Sequence, residues 1–308
     1  MKVSVLMPTY NHEKYISQAI ESFINQKTTF QKELLINDDC STDSTLSIAE
    51  TYQKKYPDLI KIFKQKKNMG LLYGYKVLTD NATGKYLAIL ESDDYWTDEF
   101  KLQKQVDFLE QNHDYGLIGT DFIKVDENNN TITTTYKSFH NDLKGDWYSH
   151  FLLVQELGAV TVCFVKELFD KYCNIDEYIS LNFKTFDYPV WLSIAKHSKC
   201  KYLNEVTAAY RILSTSISNN GSFEKRINFQ DSVTNIQNYI VEKYGLGNNT
   251  AHLFKEYQQL GYIDIAMQYH KFFYYLKLTR KLKSDRLKFK LMHFFPVIWY
   301  IQHKIRIG

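Results

Sequence analysis

Proline and cysteine are scarce in this chain, with four of each among 308 residues. So few prolines argue against long disordered linkers. Cys40, Cys163, Cys173 and Cys200 form no C-x-x-C pair and have no histidine at zinc spacing. That excludes a zinc knuckle and predicts free, mostly buried thiols, as suits a reducing compartment such as the cytoplasm. No apolar run reaches the roughly 18 residues that a spanning helix needs. Met1 passes almost at once into the strand-like VSVLM, so no leader segment is expected. The two common phosphate-cradling loops, G-x-G-x-x-G and G-x-x-x-x-G-K-[ST], are both missing. The nine histidines are scattered with no H-E-x-x-H among them. A phosphorylated ligand would therefore need its charge neutralised in another way.

What is present is an ordered alternation. KVSVLM (2–7), ELLIN (33–37), LIKIFK (59–64) and YLAIL (86–90) read as strands. Helical patterns separate them, over 13–26, from the caps Ser41, Thr42 and Asp43 to about Tyr56, and over 71–80; a further helix runs from about Asp98 to Gln111. Strands alternating with helices predict βαβ units and an α/β fold. The strands are apolar throughout, which predicts a mostly parallel sheet covered on both faces. Beyond residue 115 the pattern is mixed. GLIGTDFIKV and TITTTY flank DENNN as a hairpin, AVTVCFV (159–165) and KYLNEVTAAYRI (201–212) read as strands, and FDYPVWLSIAKH (186–197) as a helix. From Ser222 the pattern is helical to the end.

In an open parallel sheet, ligands bind beyond the carboxyl ends of the strands. Four polar clusters fall there: PTYN (8–11), DDCS (38–41), NMG (68–70) and ESDD (91–94). Each alone reads equally well as a polar loop or a helix cap; their coincidence along one edge reads as a site. Asp93 and Asp94 stand side by side, and such carboxylates hold Mg²⁺ or Mn²⁺, whose free positions take phosphate oxygens. Asp98 reads as a helix cap, Glu91 as orienting the loop through backbone amides, and Trp96 as a core aromatic with sugar stacking the alternative.

The order VSVLMPTYN, LLINDDCSTDST, NMG, GKYLAILESDDYW resembles family 2 glycosyltransferases of the GT-A fold, strongly over residues 1 to about 115 and weakly to about 220. That resemblance implies a Rossmann-like GT-A sheet flanked by helices, with a C-terminal helical extension, and inverting transfer of a sugar from a nucleotide donor, normally UDP-linked. It implies Asp94 as the metal ligand, with Mn²⁺ or Mg²⁺ as cofactor, and Asp93 on the ribose or the metal. Asp39 would meet the base, Pro8, Thr9 and Tyr10 would line its pocket, and Asn68 and Gly70 would lie near the nucleotide. It also implies a carboxylate base on a later helix; Asp187 in TFDYPVW fits, the alternative being an acid that merely favours a helix N-terminus. Many relatives carry Y-R-x-H-x-x-S where this chain has YRILSTS (210–216), so Leu213 replaces the histidine. Arg211 would then carry more of the diphosphate contact, unless it is a surface arginine at a strand end.

The implied catalytic unit is 1–222, with 1–115 as the nucleotide-sugar half and 116–222 as the acceptor half; 223–308 is a basic helical region. From Lys271 onward ten Lys or Arg face one acid, Asp285, about +9 in a chain of net +3. Beside them lies FFPVIWYI (294–301), too short to span a bilayer. Residues 271–308 thus suit an anionic membrane surface, peripheral on the inner face of the cell membrane, or else packing on the catalytic domain or a second subunit in a homo-oligomer. No nucleic-acid module accompanies the charge. The expected acceptor is a glycan or lipid-linked hydroxyl, in surface-polysaccharide synthesis. The rivals are a non-catalytic sugar-nucleotide-binding protein of the same fold, a sugar nucleotidyltransferase, and a membrane scaffold. The nucleotidyltransferase is disfavoured because PTYNHEKY stands where a Gly-rich basic loop belongs.

Overall fold

The computed structural model describes residues 1–133, 146–153, 157–213, 222–246, 253–271, 274, 277 and 278. The expected tail segment 294–301, nearly all of 271–308, and Ser216 lie outside the described residues.

The opening half follows the alternation read from the sequence. β1 (Val3–Thr9), α1 (Ile16–Ile24), β2 (Lys32–Asp38), α2 (Thr45–Lys55), β3 (Ile60–Lys64), α3 (Leu71–Asn81) and β4 (Tyr86–Ile89) succeed one another. Then come a two-residue strand β5 (Tyr95–Trp96), α4 (Lys101–Gln111), β6 (Tyr115–Val125) and β7 (Thr131–Thr133). α5 (Trp147–Leu153), β8 (Cys163–Val165), α6 (Lys166–Tyr172) and α7 (Ile175–Ser180) lead to α8 (Asp187–His197) and the long β9 (Lys199–Arg211). α9 (Phe223–Tyr244) and α10 (Phe254–Gln268) close the described chain.

The strands form one sheet in the order β3-β2-β1-β4-β8-β6-β9-β5, with β7 on β6. The long ladders, β1 with β2, β2 with β3, β1 with β4 and β6 with β9, are parallel. The antiparallel ones join at most three residue pairs each. Both faces are covered at β1, β2 and β4, which is why those strands are buried along nearly their whole length without alternation, whereas in the edge strand β3 only Ile60 is buried. Val3, Val5, Met7, Leu34 and Ile36 face one core with Ile20, Phe23 and Ala49 of α1 and α2. Leu6, Leu35, Leu87 and Ile89 face the other with Tyr75, Leu78 and Trp191. α9 seats Ile236 and Ile240 in that second core. Among the described residues no helix is long and apolar enough to cross a membrane. All four cysteines are free, and Cys163 and Cys200 are buried.

The expected hairpin is β6 and β7, closed by Asp126, whose Oδ1 accepts the N–H groups of Asn128 and Asn130, with Asn129 at φ 68°. Asp98 is not a helix cap. It closes a turn by accepting the Phe100 N–H, and α4 begins only at Lys101, three residues later than expected. Trp96 is core: its Nε1 donates to the Val160 carbonyl at 2.9 Å.

Lys101 is fully buried, with Nζ 2.8 Å from Gln105 Oε1 and over the Trp96 ring, and among the described residues it has no carboxylate partner. Burial pushes its ammonium down to about 7. The unfolded chain takes up that proton below its ordinary value of about 10.5. The stability cost therefore grows as pH falls from there toward 7 and is constant below. Lys101→Met should stabilise the fold by roughly 1–3 kcal/mol at pH 7, with a smaller gain near pH 10. Urea unfolding at the two pH values checks this; a less stable variant at pH 7 contradicts it.

Candidate active site

Because β1, β2, β3 and β4 run parallel, their carboxyl ends and the loops beyond them meet at one edge of the sheet. Those loops are tied together. The Asp39 N–H donates to the Thr9 carbonyl. The two Asp39 carboxylate oxygens accept the N–H groups of Met69 (2.7 Å) and Gly70 (2.8 Å). Gly70 sits at φ 88° immediately before α3, in the left-handed region that glycine enters without a Cβ clash. Asn11, also left-handed at φ 55°, donates its N–H to Ser41 Oγ and accepts the Thr42 N–H. His12 Nδ1 lies 2.7 Å from Ser92 Oγ, which itself donates to the Pro8 carbonyl. Ser92 has one hydroxyl proton, so Nδ1 is the donor in the first bond. Tyr10 and Met69 are left 42% and 41% exposed on either side of the buried Asp39. Pro8 and Thr9 are buried behind them.

Asp94 is 2% exposed. Its Oδ1 accepts the Arg211 backbone N–H at 2.7 Å, and its buried Oδ2 has no partner among the described residues. Burial, then Asp93 and Glu91, push its carboxyl well above the ordinary range, against a smaller opposing pull from Arg211. Asp93 is more open, 3.9 Å from His12 Nδ1. An unpaired buried carboxylate oxygen is costly unless a cation or donor meets it. The residues therefore fit a divalent cation held by Asp94, with Asp93 beside it. Among the described residues no group of three or more His, Cys, Asp or Glu could hold a metal unaided. Further ligands would have to come from a bound molecule, as is usual for Mg²⁺-type sites that keep substrate phosphates and waters.

Asp187 opens α8. Its Oδ1 accepts from the Tyr188 N–H and the Thr185 hydroxyl, and among the described residues Oδ2 takes no protein donor. Burial pushes its carboxyl up to about 6. Phe186 stacks on Tyr75 of α3 with ring centroids 3.9 Å apart, and the Tyr75 hydroxyl points to Glu91 Oε1 at 3.4 Å. Burial raises Glu91 as well, and Asp93 and Asp187 add to that rise. Asp187 thus belongs to the same electrostatic cluster as the ESDD loop. The Glu91 side chain meets Tyr75 and, among the described residues, no backbone amide, so it does not orient the loop in the way expected.

Arg211 is not a surface residue. It is 2% exposed, and four of its five side-chain N–H donors are engaged within the protein. Leu213 is buried. The sequence overlooked His12 and Tyr75. His12 stands in a loop already marked by PTYN and could have been suspected. Tyr75 carries only the helical spacing of a core residue.

A sequence model of the family described as Glycosyl transferase family 2 matches residues 4–167. The chain is similar to the putative teichuronic acid biosynthesis glycosyltransferase TuaG of Bacillus subtilis, 30% identical over 221 residues, 71% of this chain and 82% of that one. It is 41% identical over 109 residues to an uncharacterised protein of Mycobacterium tuberculosis, spanning only 32% of that relative's length. Two solved structures share the fold. The Staphylococcus aureus TarS complex with UDP-GlcNAc has a TM-score of 0.60 at 20% identity, covering 93% of this chain and 78% of that one. The mannosyltransferase PcManGT of Pyrobaculum calidifontis, with GDP-Man and Mn²⁺, has a TM-score of 0.64 at 16% identity, covering 99% and 82%.

Proposed function

This chain belongs to glycosyltransferase family 2, and from that premise we propose that it moves a sugar from a nucleoside-diphosphate donor, a UDP-sugar first of all, to an acceptor hydroxyl with inversion. The observation that carries the reading is the buried Oδ2 of Asp94, without a partner among the described residues, at the edge where the four loops meet. A divalent cation bound there would stabilise the charge that develops on the leaving diphosphate. Asp94 would hold the cation and Asp93 the ribose or the cation. Tyr10 would lie on the base, with Pro8 and Thr9 behind it. Asp39 would accept from the base with the lone pairs that Met69 and Gly70 leave free, and so keep Asn68 and Gly70 beside the nucleotide.

Asp187 would act on the acceptor. Its Oδ2 would take the proton of the attacking hydroxyl as that oxygen bonds to C1 of the sugar, and the bond from C1 to the diphosphate oxygen breaks on the opposite face. A carboxylate near pKa 6 is ionised at neutral pH and a better base than an ordinary aspartate. Nucleotide-sugar-bound neighbours of the same fold support the donor class, and the Mn²⁺ complex supports the cation. The test is a panel of nucleotide sugars followed by nucleotide release with Mn²⁺ and with EDTA. Mn²⁺-dependent turnover of at least one UDP-sugar is expected; turnover undiminished by EDTA contradicts the cation's part, and no turnover of any donor contradicts the reading.

A further inference from the structure

Arg211 ends β9 and meets the acidic loop twice. Its backbone N–H fixes Asp94 Oδ1 at 2.7 Å, and its Nε donates to the Asp93 carbonyl at 2.7 Å. The rest of the guanidinium reaches elsewhere. Nη1 donates to the Asp126 carbonyl at 3.1 Å, and Nη2 to Gln18 Oε1 and Asn129 Oδ1, both at 2.9 Å. The guanidinium carbon lies 4.6 Å from the Tyr15 ring centroid and 5.6 Å from that of Tyr95. These contacts join α1, the Asp126–Asn130 turn, the acidic loop and the end of β9. A guanidinium so enclosed cannot turn toward a bound diphosphate without giving up buried hydrogen bonds, each costly to leave unmade. Its planar fork is instead matched to fixed acceptors, and it meets the loop that carries Asp93 and Asp94, two acids with no Lys or Arg ion pair among the described residues.

We propose that Arg211 is a positioning residue and not a phosphate ligand: it holds the Asp93–Asp94 loop in the geometry that receives the cation and ties that loop to the Asp126–Asn130 turn. This rests on the reading of Asp94 as the cation's carboxylate. A lysine at 211 keeps the backbone N–H and a charge but cannot span four acceptors. The loop would then sample other positions, and the cation would lose affinity while the base pocket, held by Asp39 and the loops around it, stays intact.

The full chain should be titrated with UDP by calorimetry, once with Mn²⁺ and once with EDTA. The unaltered protein should bind UDP more tightly with Mn²⁺. Arg211→Lys should lose at least tenfold of that Mn²⁺-dependent gain, with its affinity in EDTA within about twofold of the parent. Asn129→Gly, which suits the left-handed backbone at that turn and removes one guanidinium acceptor, should lose the gain by a few-fold at an unchanged melting temperature. Should Arg211→Lys fail to fold, Asn129→Gly decides. Loss of affinity in EDTA as large as that in Mn²⁺ would make Arg211 a phosphate ligand and overturn the proposal, as would full retention of the gain in the folded variants. Absence of any Mn²⁺ gain in the unaltered protein strikes the cation reading itself, and the proposal falls with it.

Discussion

Asp187→Asn is expected to lower sugar transfer by at least about a hundredfold while leaving UDP affinity within about twofold, since general-base catalysis is typically worth 10²–10⁴. The amide keeps the shape of the carboxylate and its Oδ1 still accepts the Tyr188 N–H, so the first turn of α8 should hold. It cannot take a proton from the acceptor. Burial pushes the Asp187 carboxyl up to about 6, so kcat/KM should be flat at neutral pH and fall about tenfold per pH unit below 6. The same shift sets the effect on stability. A carboxyl whose folded value is raised costs stability above its unfolded value, near 4, and the cost is largest at neutral pH. Asp187→Asn should therefore melt no lower than the parent at pH 7. Steady-state kinetics across pH 5–8, with calorimetric UDP titration, checks all of this. Unchanged turnover removes Asp187 as the base, and turnover lost together with UDP binding would place the residue in the donor site instead.

Asp94→Asn should be nearly as damaging by a different route. Oδ1 continues to accept the Arg211 N–H, so the β9 contact survives. What is lost is the negative charge and the lone pairs of Oδ2, the buried atom with no partner among the described residues. Loss of the Mn²⁺-dependent gain in UDP affinity is expected, with turnover down roughly 10²–10³, the scale of removing one electrostatic stabiliser of a developing oxyanion. The folded protein should not suffer. Burial and the neighbouring Asp93 and Glu91 raise the Asp94 carboxyl, so its ionised form costs stability at pH 7 and the amide relieves that cost. A variant with normal Mn²⁺ dependence, or one that unfolds, contradicts this assignment.

The two predictions separate the enzyme from its rivals. A sugar-nucleotide-binding protein without catalysis would show the Asp94 effect on binding and no turnover for Asp187 to alter. A scaffold would show neither.

Much of this was legible in the sequence because the first half obeys local rules. Strands buried on both faces read as apolar runs, and the loops between them carry the capping and turn residues that mark carboxyl ends. The acids of YLAILESDDYWTDEF divide as that reading implied only in part. Asp94 is buried with its Oδ2 unpartnered among the described residues, whereas Asp98 closes a turn ahead of α4 and Glu91 faces Tyr75. β5 went unread because two residues have no periodicity, and it exists through pairing with Ala208 and Ala209 of β9. The setting of Arg211 was illegible for a similar reason. Its partners come from Gln18, Asp93, Asp94, Asp126 and Asn129, gathered by tertiary packing, so the residue resembles any arginine at a strand end. Asp187 lies past the matched stretch 4–167, and only its placement beside Tyr75 and Glu91 connects it to the acidic loop.

A crystal structure with UDP and Mn²⁺, using anomalous scattering to locate the metal, shows whether a nucleoside diphosphate and a divalent cation meet at Asp94. A manganese peak is expected about 2.1 Å from Asp94 Oδ2, a typical distance for a small divalent cation and a carboxylate oxygen, with both phosphates on its far side and the uracil beside Tyr10 and Asp39. A nucleotide bound away from the four loops, or a manganese ion that leaves Asp94 Oδ2 unligated, would contradict it.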